Sequence, residues 1–285
     1  MRLQRRFAKD VSPLSHSRRM GPVMSDFERV WALDGVENFR DYGGYHTASG
    51  QRMRTGRLFR SAHHGTATPA DLERMASQQI HTIVDLRRPQ DRERTPSLRA
   101  PGFIGQIIDN DIVDEPEDQF QKHLIESDHS VASMRAYMID YYHKAPFEPR
   151  HIDLYSRYFQ TIAVADGPVL IHCAAGKDRT GLLAALTHRL LGVGEDDIVA
   201  DYLLTNNKAR MAKRAPMFAA FVQELTGRTP SEEAIFTSMG VEAEYLHIAF
   251  DAIEAQYGSI ESYIEHALGV DDRLKDRIAA AILVD

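Results

Sequence analysis

Residues 169–181 constrain this chain more than any other segment: Val169-Leu170-Ile171-His172-Cys173-Ala174-Ala175-Gly176-Lys177-Asp178-Arg179-Thr180-Gly181. Gly167-Pro168 breaks the chain just before, and Val169–Ile171 is the compact apolar run of a buried strand. From Thr180 to Leu191 the pattern is helical, and it stops at Gly192. His172 to Arg179 is therefore a tight loop joining a strand to a helix, the arrangement that puts ligands at the carboxyl end of a strand. Such a loop can turn successive N–H groups toward its centre and form a nest for an anion. The positive end of the following helix adds to that field, and Gly176 permits backbone angles closed to other residues.

Cys173 sits at the mouth of this nest. It is the only cysteine of the chain, so no intramolecular disulfide can form, which fits a reducing compartment and a cytoplasmic location; unconventional secretion stays open. A lone cysteine is ordinarily a small buried hydrophobe. Here its neighbours argue for reactivity, because a nest that stabilises a bound oxyanion also stabilises a thiolate. Arg179 can hold two oxygens of one oxyanion with its planar fork, which lysine cannot do. The backbone from Ala174 through Ala175, Gly176, Lys177 and Asp178 to Arg179 would cradle a phosphate. Lys177 adds charge at the rim, where it could touch a second anionic group. His172 would order the loop through its ring nitrogens, and Thr180 could donate its hydroxyl to the sulfur.

The rest of the chain reads as one α/β unit with a mainly helical second half. Arg57–Ser61, His81–Leu86 and Phe103–Ile108 are predicted strands. Thr68 followed by Pro69 and Asp71 is a helix start with a capping pattern, and that helix runs to about Gln78. Asp109 to Asp128 is acidic and reads as an irregular exposed loop. Val131, Met134, Met138 and Tyr141 recur at helical spacing, as do Ile152, Tyr155, Phe159 and Ile162, and both sets read as core faces. Later helices are predicted over Asp196–Leu204, Asn206–Leu225, Ser231–Met239, Ala243–Tyr257, Ile260–Leu268 and Asp271–Leu283. Ordered structure is expected as a single domain over residues 27–285. Residues 1–26, basic and without an apolar stretch, read as a disordered leader or an over-extended start, with Met20 or Met24 as alternative beginnings.

Composition bounds the partners. The net charge of −7 argues against a protein built to coat nucleic acid or an anionic membrane, and no apolar run reaches the roughly 18 residues a membrane helix needs. His63-His64, His143 and His151 show no ligand spacing, so neither a metal nor another cofactor is expected. Oligomeric state is not legible. Lys208, Arg210, Lys213 and Arg214 form a basic run at helical spacing, read as a solvated helix face or as a lid or surface facing anionic lipid or protein.

The pattern His172-Cys173-x-x-Gly176-x-x-Arg179-Thr180-Gly181 resembles the signature loop of the protein tyrosine phosphatase superfamily. Its Gly176-Lys177-Asp178-Arg179-Thr180 form is similar to the bacterial tyrosine/phosphoinositide phosphatases. Asn38-Phe39-Arg40-Asp41-Tyr42-Gly43-Gly44, Leu58-Phe59-Arg60-Ser61-Ala62, Ile83-Val84-Asp85-Leu86-Arg87, Asp201–Asn206 and Tyr257–Tyr263 also resemble that family, so the likeness runs from about Val30 to Leu283. It implies a central, mostly parallel sheet flanked by helices. It also implies a cysteine-dependent phosphatase working through a phosphocysteine, on phosphotyrosine proteins with dual-specificity or phosphoinositide activity open. The proton for the leaving oxygen needs a carboxylic acid nearby. Asp178, inside the loop, is the first choice and Asp85, at a strand end, the second; a salt bridge or loop cap is the alternative for Asp85. The single tryptophan, Trp31, is not followed by Pro-Asp, so no separate Trp-Pro-Asp acid loop is identified. Arg40 and Asp41 read as a structural pair, and Arg60 and Ser61 as structural residues near the rim. A rhodanese-like sulfurtransferase and a silent phosphoprotein-binding module are the rival readings.

Overall fold

The structure, a computed structural model, describes residues 29–113 and 117–285; the leader call and part of the acidic loop fall outside them. In chain order the elements are β1 (Arg40–Asp41), β2 (Arg52–Met53), β3 (Leu58–Ser61), α1 (Pro69–Ala76), β4 (Thr82–Asp85), α2 (Pro89–Arg94), β5 (Gln106–Ile108), α3 (Gln119–Glu126), α4 (Val131–Lys144), α5 (Pro149–Ile162), β6 (Val169–His172), α6 (Asp178–Leu190), α7 (Glu195–Leu203), α8 (Lys208–Thr226), α9 (Glu232–Met239), α10 (Ala243–Tyr257), α11 (Ile260–His266), α12 (Asp272–Ile282) and β7 (Leu283–Val284).

The main sheet has the order β1-β3-β6-β4-β5. β6 lies between β3 and β4 and runs parallel to both; β5 continues the parallel set, and β1 is an antiparallel edge strand. The fold is thus α/β with a mostly parallel sheet and a helical second half. A small antiparallel ribbon of β2 and β7 ties the chain's end back to its first third.

Side chains alternate across each strand, and the two faces of the sheet bury different sets. Leu58, Val84, Ile108, Val169 and Ile171 face a large core shared with the long helices, including Leu154, Tyr158, Leu183, Leu186, Tyr245 and Ile253. Phe59, Ile83 and Leu170 face a smaller cluster with Val36, Phe39 and Met75. There Trp31, Phe39 and Phe59 pack ring to ring at 5.5–5.7 Å, so the single tryptophan is core packing.

Helix α1 begins as its sequence demands: Thr68 and Asp71 cap each other's backbone amides, and Pro69 sits in the first turn. The acidic stretch differs from expectation. Its second half is a helix, capped by Asp118, which accepts from the amides of Phe120 and Gln121. Leu124 is buried there against Met134 and Val222, with Phe120 packed beside them. The i, i+4 pair Phe120–Leu124 is a short amphipathic signal that the surrounding charge conceals.

A buried charge cluster links the edge strand to the helical half. Asp201 of α7 takes Arg60 at 2.8 Å and Arg40 at 3.3 Å, and its carbonyl accepts from Arg40 as well. Arg40 therefore pairs with Asp201 and not with Asp41, whose carboxylate is consumed by the Gly43 and Gly56 amides of its own turn. Burial, with Arg60 beside it, lowers Arg40 to about 10, so it stays cationic at neutral pH. Burial would favour a protonated Asp201, but Arg40 and Arg60 overcome this and hold it ionised, well below the usual carboxylate range. Removing one member of a buried cluster leaves the others uncompensated, at a cost of about 3–5 kcal/mol. Asp201→Ala should lower the unfolding free energy by about that amount in urea titration; a loss under about 1 kcal/mol would mean that the two arginines find water or another partner.

Candidate active site

Register places the site. Ser61 and Asp85 both pair across from His172, so three parallel strands end at one level and their loops gather above it. The middle strand feeds Cys173, and α6 begins at Asp178, two residues earlier than the sequence pattern predicts.

The loop between them is shaped by where its carbonyls go. Ala174 O accepts from the His63 amide at 3.1 Å. Ala175 O and Gly176 O accept from Asn38 Nδ2 at 3.4 and 3.0 Å. Gly176 O also accepts from Arg60 at 3.1 Å, and Lys177 O closes the first turn of α6 through the Gly181 amide. With the carbonyls drawn outward, the opposite faces of the same peptides point inward. Among the described residues the amides of Ala174, Ala175, Gly176 and Lys177 have no acceptor, the arrangement of an oxyanion-binding nest. Asn38 holds its own position at φ 58°, in the left-handed region that asparagine tolerates. Gly176 has φ 66°, and a Cβ there would lie 2.4 Å from the Ser61 carbonyl carbon and oxygen, so only glycine closes this loop.

Cys173 is 2% exposed and lies at the floor of a cavity of about 480 Å³. Arg179, Asp178, Arg150, Tyr141, Phe218 and Phe221 are among its walls. The Arg179 guanidinium donates to Leu86 O at 3.2 Å and lies 3.6 Å from Asp91. Burial would weaken its hold on its proton, but the Cys173 sulfur, Tyr141 and Asp91 outweigh that and keep Arg179 firmly cationic. Asp178 Oδ1 accepts from Tyr142 OH at 2.9 Å. Tyr142 therefore accepts from Tyr202 OH, 2.5 Å away, and a directed relay of two buried phenols grips one oxygen of the carboxylate. Oδ2 is left with Lys177 Nζ at 3.9 Å.

Several expected roles are corrected by these contacts. Asp85 is not among the cavity's walls. It is buried and gripped by Arg87 through Nε and Nη2, at 2.9 and 2.7 Å. Burial would favour its neutral form, yet the Arg87 guanidinium gripping both oxygens holds it as an anion, below the usual carboxylate range. The salt bridge and loop cap to Arg87 are what the structure contains. His172 stands 3.5 Å from Asp85 and 3.4 Å from Cys173 O, and burial pushes it down to about 4. It is neutral at pH 7 and packs on the His64 ring, with centroids 4.5 Å apart. Lys177 does not offer its charge at the rim. Its buried ammonium donates to Ser238 O and Gly240 O and ties the loop to the end of α9. Thr180 is wholly buried, and its hydroxyl has no hydrogen-bond partner among the described residues, so the expected bond to the sulfur is not formed.

Met138 and Tyr141, read as core positions, also line the cavity. Arg150 was not singled out by sequence reasoning. It is buried at the wall, donates to Leu86 O at 2.7 Å, and stands 2.7 Å from His151 Nε2. A buried arginine directly after a helix-starting proline has no sequence signature. His151 Nδ1 bonds Ala145 O at 2.8 Å, and His64 bonds Ser61. Among the described residues no trio of histidine, cysteine or acidic side chains is arranged to hold a metal ion. None of the described helices is long and apolar enough to cross a membrane.

Comparison with known proteins gives a consistent result. The tyrosine phosphatase family model matches residues 31–284. A Cupriavidus necator protein provisionally named a tyrosine-protein phosphatase is 33% identical over 242 residues, covering 84% of each chain. The triple specificity protein phosphatase PtpB of Mycobacterium tuberculosis is 31% identical over 280 residues, covering 89% of this chain and 99% of its own. A tyrosine-protein phosphatase of Nostoc commune is 32% identical over 149 residues, 51% of this chain and 47% of its own. The chain belongs to the tyrosine phosphatase family. It is a cysteine-dependent phosphoric monoester hydrolase, and the sulfurtransferase and silent-module readings fall away.

Gly176→Ala tests the nest. The added Cβ must push the loop from Ser61, misaligning several donors at once, and kcat on para-nitrophenyl phosphate should fall about 10²-fold or more. An unchanged kcat would show that the loop does not need this backbone angle.

Proposed function

We propose that Cys173 is the nucleophile, that Arg179 and the inward amides of residues 174–179 bind the phosphoryl oxygens, and that Asp178 is the general acid. The observation that carries this reading is the convergence of all three on one cavity. Asp178 is the acid-capable group beside the sulfur that keeps an oxygen outside its hydrogen-bond network, whereas Asp85 is locked to Arg87.

The cysteine thiolate attacks phosphorus in line with the ester oxygen. The S–P bond forms as the P–O bond breaks, and Asp178 gives its proton to the departing oxygen. Charge on the equatorial oxygens is met by the loop amides and the Arg179 fork, both in place before the substrate arrives, so they cost little reorganisation. Water then attacks the phosphocysteine. Asp178, now a carboxylate, takes the water's proton, the S–P bond breaks, and inorganic phosphate leaves with the thiolate restored. Tyr142 donates to Oδ1 throughout and so leaves Oδ2 to carry the proton.

The substrate we favour is phosphotyrosine in proteins. Tyr137, Tyr141, Phe120, Phe218 and Phe221 give the cavity aromatic walls, which suit an aryl phosphate. The Mycobacterium tuberculosis relative is named a triple specificity protein phosphatase, which supports a specificity wider than phosphotyrosine alone. The basic run of α8 weighs against a lipid-facing surface: Arg210 and Arg214 pair with Glu37, and Lys213 donates to Asp34 O. We place the enzyme in a reducing compartment such as the cytoplasm, where the unpaired Cys173 stays a thiol.

Cys173→Ser should abolish turnover and still bind vanadate, read by equilibrium binding; hydrolysis at the wild-type rate would sink the nucleophile assignment. Asp178→Asn should slow alkyl and electron-rich aryl phosphates by about 10²-fold and para-nitrophenyl phosphate far less, since general acid catalysis supplies about 10²–10⁴-fold when the leaving group is poor. Tyr142→Phe should give the same selectivity at smaller size. Equal losses across leaving groups would remove Asp178 from the acid's role.

A further inference from the structure

The cavity's charges do not balance, and the imbalance sits on one side chain. Its cationic walls are Arg88, Arg150, Lys177, Arg179, Arg210 and Arg214; its acidic walls are Glu37, Asp91, Asp118, Glu148 and Asp178. Five of the six cations are engaged. Arg179 has Asp91 and Leu86 O, and Arg150 has Glu148 at 3.6 Å. Lys177 has the carbonyls of Ser238 and Gly240, and Arg210 and Arg214 share Glu37. The Arg88 guanidinium forms no hydrogen bond or ion pair with any described residue.

The backbone holds Arg88 at the cavity. It is the N-cap of α2, extended at φ −64° and ψ 155°, the conformation that the following Pro89 imposes. Two residues before it, Leu86 O accepts from both Arg179 and Arg150. Consecutive Cα atoms are about 3.8 Å apart, so Arg88 springs from the turn that also anchors the phosphoryl-binding arginine. Its positive charge is felt by Tyr137, Arg150 and His151.

We infer that Arg88 forms a second anion subsite beside the phosphoryl site, and that it takes a carboxylate side chain neighbouring the phosphotyrosine of a protein substrate. The inference rests on the phosphotyrosine reading above. A guanidinium left half-buried without an acid is a donor awaiting one, and it binds carboxylate oxygens through a planar fork. Its place next to the Arg179 anchor suits a group one or two residues along a peptide from the phosphate. A lipid headgroup fits less well, because the neighbouring basic run is turned inward onto Glu37 and Asp34.

The test compares two phosphotyrosine peptides identical except for Glu or Gln on both sides of the phosphotyrosine. Wild type should prefer the Glu peptide in kcat/KM by about tenfold at low salt, and less as salt screens the contact. Arg88→Gln should bring that ratio to about one, and Arg88→Lys should keep part of it. A ratio that survives in Arg88→Gln, or a wild-type ratio of one with both peptides turned over, overturns the subsite alone. Wild type inactive on both peptides but active on para-nitrophenyl phosphate overturns the phosphotyrosine reading and the subsite with it. Short-chain phosphoinositide mono- and bisphosphates form the remaining arm. If Arg88→Gln lowers only the preference for the bisphosphate and leaves the peptide ratio intact, the subsite serves a headgroup and the proposal fails.

Discussion

Arg60 joins the two things on which this enzyme depends, a closed loop and an attached helical half. One nitrogen of its guanidinium meets Asp201 on α7, and another meets the carbonyl of Gly176. A loop carbonyl that accepts from behind forces the N–H on the other side of its peptide toward the cavity. Asn38 and the His63 amide do the same for the neighbouring peptides. The anion nest is thus made by hydrogen bonds on its outer surface, and those bonds come from β3 itself, the turn after it and the turn before β1. A buried arginine in this place is stable because Asp201 neutralises it, and Asp201 is stable because Arg40 shares it.

The helices complete what the sheet begins. α4 supplies Tyr142, which grips one oxygen of Asp178, and α7 supplies Tyr202, which orients Tyr142. α5 supplies Arg150, and α8 lines the cavity with Phe218 and Phe221. A carboxylate held by one oxygen keeps the other for chemistry, while one held by both, as Asp85 is by Arg87, becomes a structural anion. The same residue type is held differently because one arginine stands two residues along the chain.

Much of this was visible in the chain itself. The strand, loop and helix around Cys173 are local, and each is set by residues within a few positions: Gly167-Pro168 before, Gly176 within, Gly192 after. The cap of α1 at Thr68 is local in the same way. The helix at Gln119–Glu126 carries no legible signal in the sequence because its apolar residues are few and their burial depends on Met134 and Val222, which lie elsewhere in sequence. The cavity-lining places of Met138 and Tyr141 are likewise hidden, since helical spacing reports which face is covered and not what covers it.

The sequence by itself determined the loop of Cys173 and the helix after it that carries Arg179, because backbone geometry and short-range hydrogen bonding decide these; the mostly parallel sheet was implied by the family resemblance, and its strand order came only with packing. Only the tertiary structure decided which aspartate keeps an open oxygen, that Lys177 is tied to the end of α9, and that the basic run of α8 clamps Glu37. It also left Arg88 as the cavity cation without an acid among the described residues. Each of these is a question of which charge finds which partner, and partners 61 or 173 residues apart meet only once the chain has packed.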